Sequence, residues 1–136
     1  MKILQLLVAI VLITTLAQAQ TTGDKITGLY WSPKKDAKIE IYKKGTKYFG
    51  KSVWVAHPRQ DTENPDKALQ AREVQGIELL TDFTFSDDTY KGGKIYDPES
   101  GKTYSCKMAI DGDKLKVRGY IGISLLGRTE IFERIK

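Results

Sequence analysis

The sequence predicts an all-β domain, a single antiparallel up-and-down β-barrel of about eight strands, on three observations. From residue 26 onward, apolar and polar residues alternate with the period of two expected of half-buried strands. The alternating runs are separated by short clusters of Gly, Asp, Asn, Ser and Pro with the composition of tight turns. Sequential strands joined by such turns form a meander, and closing an eight-stranded sheet on itself leaves no edge exposed. An open sandwich is the alternative.

The elements follow in order. A first strand over 26–31 stops at Ser32-Pro33. The second, 37–43, sets Ile39 and Ile41 against Lys38, Glu40 and Tyr42, and Lys44-Gly45-Thr46 turns the chain into the third, 47–56. Gly50 within that strand marks a bulge or bend. A long irregular segment, 57–75, comes next. Inside it, Asn64-Pro65-Asp66 reads as an N-cap followed by proline at the first helical position, which predicts a short helical turn over 65–71. In the fourth strand Ile77, Leu79, Thr81, Phe83 and Phe85 are expected on one face. Ser86-Asp87-Asp88 leads to a fifth strand, 89–96, which Gly92-Gly93 should bend, and Asp97 to Gly101 has strong turn composition. The sixth strand covers 102–110, the hairpin turn Asp111-Gly112-Asp113 follows, and the seventh covers 114–121 with Leu115 and Val117 apolar. After a connection over 122–127, an eighth strand over 128–135 closes the chain.

The N-terminus has a different character. A basic start, Met1-Lys2, precedes the apolar run 3–13, and Ala17-Gln18-Ala19 supplies the small-x-small pattern read by a signal peptidase. A spanning helix needs about 20 apolar residues, and Thr14 and Thr15 interrupt this run early. The expected organisation is a signal peptide over 1–19, cleaved after Ala19, and one domain over 20–136, periplasmic or secreted. Cys106 is the sole cysteine, so no intramolecular disulfide can form even where export would permit one. Its place in the Tyr104, Cys106, Met108, Ile110 alternation makes it a core thiol rather than a reactive one.

The formal charge is +5, and the lysines are scattered among acids instead of forming a stripe. Nucleic acid is therefore not an expected partner. His57 is the only histidine, so neither a His/Cys metal site nor a histidine-dependent triad is expected, and no cofactor is implied. Asp61, Asn64 and Asp66 lack the ligand spacing of a calcium loop. Turn and cap chemistry accounts for Asn64 and Asp66, and leaves Asp61 as a minor functional candidate. Gly119, Gly122 and Gly127 precede a strand, so they are turn and bulge glycines and no phosphate cradle.

Several runs together resemble the DUF2147 family of uncharacterised exported bacterial proteins. They are Gly28-Leu29-Tyr30-Trp31, Ile39-Glu40-Ile41-Tyr42, Tyr48-Phe49-Gly50-Lys51, Val53-Trp54, Asp61 with Asn64-Pro65-Asp66, and Leu69, Arg72 and Gly76. The most specific are 93–104, around Tyr96-Asp97-Pro98-Glu99-Ser100-Gly101, and 115–122, around Val117-Arg118-Gly119-Tyr120; Gly127-Arg128-Thr129 and Phe132-Glu133-Arg134 close the pattern. The resemblance implies an exported, lipocalin-like barrel and brings no activity with it. The chain departs from the family's habits in two places. It lacks the cysteine pair many members carry around the second hairpin, and it has Tyr30 then Trp31 where the family usually places tryptophan two residues after the glycine.

In such barrels a C-terminal basic residue stacks over an N-terminal aromatic, so Arg134 over Tyr30 or Trp31 is the expected closure. Tyr48, Trp54, Phe83, Phe85, Tyr96, Tyr104 and Met108 are the candidate lining of a pocket for a small, partly apolar or amphipathic ligand. Arg118 is the candidate anchor for a carboxylate, and the segment 57–75 the candidate lid. The same aromatics could instead pack a filled core. A protein acting through its outer surface, with Tyr42 and Tyr120 in one patch, is the second expectation. An enzyme is the third, and no paired carboxylates at recognisable spacing support it. Oligomeric state is left open.

Overall fold

Each strand pairs with its neighbour in sequence, and the last returns to the first. The order is β1 (Gly28–Trp31), β2 (Ala37–Lys44), β3 (Lys47–Val55), β4 (Glu78–Ser86), β5 (Thr89–Asp97), β6 (Lys102–Asp111), β7 (Lys114–Tyr120) and β8 (Arg128–Arg134). The sheet closes as an all-antiparallel, eight-stranded barrel. A computed structural model describes residues 22–136; the expected signal peptide, its cleavage after Ala19 and the start of the domain at residue 20 lie outside the described residues. The β1–β8 seam is short, pairing Tyr30 with Arg134 and Trp31 with Glu133.

Ile26, expected to open the first strand, belongs instead to a 3-10 turn, Asp24–Ile26, that crosses one end of the barrel. The other correction lies in β4. Strict alternation would place Leu79 and Thr81 inward with Phe83, but Leu80 and Phe83 are the buried residues of this strand, 1% and 0% exposed. The cause is a break in phase at Asp82, which has φ 64°, facing a matching break at Gly92, with φ 73°. Asp and Gly are among the residues that tolerate this left-handed backbone. Both strands skip one residue together, so Leu80 stays paired with Ile95 and Phe85 with Tyr90. Gly93 is then required on close-approach grounds: a Cβ there would sit 2.5 Å from the Phe83 ring.

The interior is filled by Ile26, Tyr30, Ile39, Ile41, Tyr48, Leu80, Phe83, Tyr90, Cys106, Met108, Leu115, Val117 and Phe132. Cys106 is fully buried, and burial pushes its thiol up to about 12. A smaller cluster, Val55, Val74 and Ile77, packs the long β3–β4 connection against the barrel side. Within that connection the expected helical turn is a single 3-10 turn, Lys67–Leu69, capped by Asp66, whose carboxylate accepts from Ala68 N. Asn64 does not cap it directly. Its Oδ1 accepts from Asp66 N, and its Nδ2 is turned inward to Asp61.

Candidate functional site

The two ends of the barrel differ in kind. At the end crossed by the 3-10 turn, three tyrosine hydroxyls rise from the barrel floor and donate to that turn. Tyr30 donates to Ile26 O at 2.7 Å, Tyr48 to the Asp24 carboxylate, and Tyr90 to Gly23 O. The Arg134 guanidinium lies 4.9 Å from the Tyr30 ring centre, and donates to Thr27 O at 2.9 Å and Lys25 O at 2.6 Å. Tyr30, not Trp31, is the ring beneath it. Trp31 is on the outer face, edge-on to Trp54 at 6.1 Å, with Lys38 above both indoles. Burial raises the Tyr30 hydroxyl to about 12, so it stays protonated and able to donate. This end is a plug.

The opposite end is open. Its rim is built from the β1–β2, β5–β6 and β7–β8 connections and the β3–β4 segment. A cavity of about 560 Å³ there is walled by Ile95, Tyr96, Tyr104, Val117, Gly119 and Phe132. It adjoins a second space of about 190 Å³ that reaches Ala37, Val55, Val74 and Leu79. Ile95, Tyr96 and Phe132 belong to both. Charged groups ring the entrance: Asp36, Asp97, Glu99 and Glu130 against Lys34 and Arg128. Several are already engaged, Asp36 by the Ser32 hydroxyl at 2.8 Å, Asp97 by Ser100 at 2.9 Å, and Glu130 by Arg128 at 2.8 Å.

The expected lining residues therefore separate. Tyr96 and Tyr104 wall the open cavity. Tyr48, Phe83 and Met108 are fully packed in the core, and Phe85 lies half-buried against the Tyr90 ring at 4.8 Å; none of the four lines either mouth space. Trp54 is outside, 39% exposed. Arg118 also points outward. Its guanidinium holds Ser124 O at 2.7 Å, Leu125 O at 3.3 Å and the Thr129 hydroxyl at 2.8 Å, so its donors are used on the β7–β8 connection rather than aimed into the cavity. Sequence reasoning missed Ile95, Val117, Gly119, Phe132 and the Arg128–Glu130 pair. The missing signal was position along the strand, because residues near the ends of β5 and β7 and the starts of β6 and β8 meet at the same end of an up-and-down barrel.

The segment 57–75 does not hang free over the mouth. Buried Ser52 on β3 donates its hydroxyl to Val74 O at 2.6 Å and accepts from Gly76 N at 3.1 Å. Asp61, fully buried, accepts from the Tyr96 hydroxyl at 2.6 Å, Asn64 Nδ2 at 2.8 Å and Arg72 Nε at 3.0 Å. Burial alone would push the Asp61 carboxyl up; the three donors and the Arg72 charge outweigh it and hold the group below the usual carboxylate range. Asp61 thus ties the segment to a wall of the cavity. The β5–β6 turn locks in beside it, since a Cβ on Gly101 would fall 1.9 Å from Glu63 O. Tyr42 and Tyr120 lie on β2 and β7, separated around the barrel by β1 and β8, and share no patch. Among the described residues, no three His, Cys, Asp or Glu side chains converge to hold a metal, and no helix is long and apolar enough to cross a membrane.

A family model described as "Uncharacterized protein conserved in bacteria (DUF2147)" matches residues 28–134. Among solved structures, one from Helicobacter pylori is similar, with 23% identity over 82% of this chain and 83% of that chain and a TM-score of 0.74. It is described as "Protein HP1028 from the human pathogen Helicobacter pylori belongs to the lipocalin family". At that identity the likeness speaks for the fold. A search of the curated proteins finds no match.

Proposed function

The chain belongs to the DUF2147 family, and from its lipocalin-like barrel we propose that it is a non-enzymatic carrier, exported after loss of its leader, that takes a small, partly apolar ligand into the open end. The observation that carries this reading is the paired mouth cavity. At about 560 Å³ the larger space lies in the range of small-molecule pockets, roughly 300–1,000 Å³, and its walls are mostly apolar with polar groups confined to the entrance. An apolar body would lie along Ile95, Tyr104, Val117 and Phe132, and a polar end would meet the rim near Arg128 and Glu130. Tyr96 and Tyr104 are retained from the expected lining; Tyr48, Trp54, Phe83, Phe85, Met108 and Arg118 are not.

Asp61, behind the Tyr96 wall, is taken up by the donors of Tyr96, Asn64 and Arg72, so its part is to brace the wall of the carrier cavity. Native mass spectrometry of the protein purified from its own compartment tests the proposal. A reproducible bound small molecule, displaced by a side chain placed into the cavity from Gly119, is the expected result. A consistently empty protein that also takes up no apolar fluorescent probe would end it.

A further inference from the structure

The β7–β8 connection displays apolar side chains that the barrel does not use. Ile121 is 72% exposed, Ile123 59%, Leu125 81% and Leu126 77%, which makes this loop the largest concentration of exposed aliphatic residues among the described part of the chain. Single exposed apolar residues are ordinary, whereas a contiguous group of four marks a surface that meets something.

The loop is held in shape while its side chains stay outside. A 3-10 turn, Ser124–Leu126, forms its crest. Arg118 clamps the carbonyls of Ser124 and Leu125, and Lys107 Nζ reaches the Ser124 hydroxyl at 3.2 Å. Gly127 packs so tightly under the turn that a Cβ would lie 2.6 Å from Gly119 O. Fixing the crest from beneath removes the conformational cost that a floppy apolar loop would meet on docking.

Charge selects the partner. From Gly119 to Gly127 the chain carries no charged residue, and the groups that bracket it, Lys107, Arg118 and Arg128, are all cationic. The nearest carboxylate in sequence, Glu130, is engaged by Arg128. An aliphatic crest ringed by cations matches an anionic lipid surface, where apolar side chains enter the acyl boundary and basic ones stay among the headgroups. A second copy docked crest to crest would set the same bracketing cations, Lys107, Arg118 and Arg128, against one another. We propose that the β7–β8 loop inserts into an anionic phospholipid surface. The inference stands whether or not the cavity carries a ligand.

Flotation of the full chain, as its own cells produce it, with vesicles of phosphatidylglycerol and phosphatidylethanolamine tests this. The wild type should float with them, less so in high salt, and less with pure phosphatidylcholine. The double variant Leu125→Ser/Leu126→Ser should bind at least about tenfold more weakly, with an unchanged circular dichroism spectrum because neither side chain enters the core. Ile123→Trp, a second variant, should bind and show a blue-shifted emission only with anionic vesicles. Absence of wild-type binding, binding unchanged in the double serine variant, or loop-dependent dimerisation on size exclusion in place of vesicle binding would each overturn the proposal.

Discussion

The plugged end and the open end of this barrel are made from the same alternating strands, yet one is solid and the other hollow. At the plugged end the inward residues are large, Tyr30, Tyr48, Phe83 and Tyr90, and every tyrosine hydroxyl finds an acceptor on the crossing turn. At the open end Ile95, Val117 and Gly119 stand among Tyr96, Tyr104 and Phe132, and together they leave a cavity of about 560 Å³. An eight-stranded barrel is just wide enough to be filled by side chains or to hold one small ligand. Here the choice is made twice, by side-chain volume and by where the N-terminal turn lies. The difference teaches that an aromatic count is a poor guide to a pocket, because four large rings fill the plug and Trp31 and Trp54 lie on the outer face.

If the plug carries the stability, damage there should be severe and leave the mouth's chemistry intact. Phe83→Ala removes a fully buried ring that Gly93 was shaped to admit. Urea denaturation should report a loss of about 3–5 kcal/mol. Under conditions where the variant remains folded, uptake of an apolar probe at the mouth should match the wild type. A loss of uptake in the folded variant would erase the distinction between the two ends.

Asp61→Ala strikes the clasp between the open end and the 57–75 segment. Three donors, from Tyr96, Asn64 and Arg72, lose their shared acceptor. Hydrogen bonds to charged groups are worth about 1.5–3 kcal/mol each, and a variant of this kind should cost about 2–4 kcal/mol in all, since Arg72 can return to water. Hydrogen exchange should show the damage confined to 57–75 and the β5–β6 turn, with the amides of β7 and β8 still protected.

These two variants also mark what was legible in the sequence. The barrel and its turns were readable because period-two alternation and glycine–aspartate punctuation are local properties, and Gly45, Gly101 and Gly112 do take the left-handed backbone their turns require. Arg134 over an N-terminal aromatic was readable from the family resemblance, although choosing Tyr30 over Trp31 needed the pleat. The β4 face was not readable, because a break at Asp82 matched by one at Gly92 shifts the phase without changing composition. Asp61 was noticed but not explained, since its partners Tyr96 and Arg72 are 35 and 11 residues away. Arg118 was half legible: its place opposite the apolar face of Leu115 and Val117 put it on the surface side, but the carbonyls of Ser124 and Leu125 that occupy it belong to a loop whose shape alternation does not encode.

Gly119→Leu addresses the hollow directly. The position has an ordinary backbone conformation, and an added Cβ would meet only Ile95 Cγ2 at 3.5 Å and Tyr104 Cβ at 3.6 Å, which is normal contact. The remaining atoms would extend into the cavity. Binding of the mouth ligand or an apolar probe should fall about tenfold or more, equivalent to about 1.4 kcal/mol, while thermal stability moves by less than about 1 kcal/mol in either direction. Titration calorimetry and a melting curve separate the two effects. A large destabilisation with binding retained would mean the space is a packing defect.

The mildest change, Tyr96→Phe, asks how far the clasp and the cavity wall are one device. The ring stays, and only the hydroxyl that donates to Asp61 is removed. At neutral pH this should cost about 1.5 kcal/mol, the bottom of the range for a charge-assisted hydrogen bond because Asn64 and Arg72 still serve the carboxylate. Asp61 has a folded-state pKa below its ordinary value, so its contribution is fully present above the unfolded value of about 3.9 and is lost as pH falls through the lowered folded value. Taking away one donor moves the folded value back up toward the ordinary one, which shrinks the contribution and narrows that acid window from below. The difference in stability between wild type and variant should therefore be largest near neutrality and shrink below about pH 4. Asp24, Glu78 and Asp113, also held below their usual range, titrate alike in both proteins and cancel in the difference. A difference that is independent of pH would assign the cost to lost packing of the hydroxyl and separate the wall from the clasp.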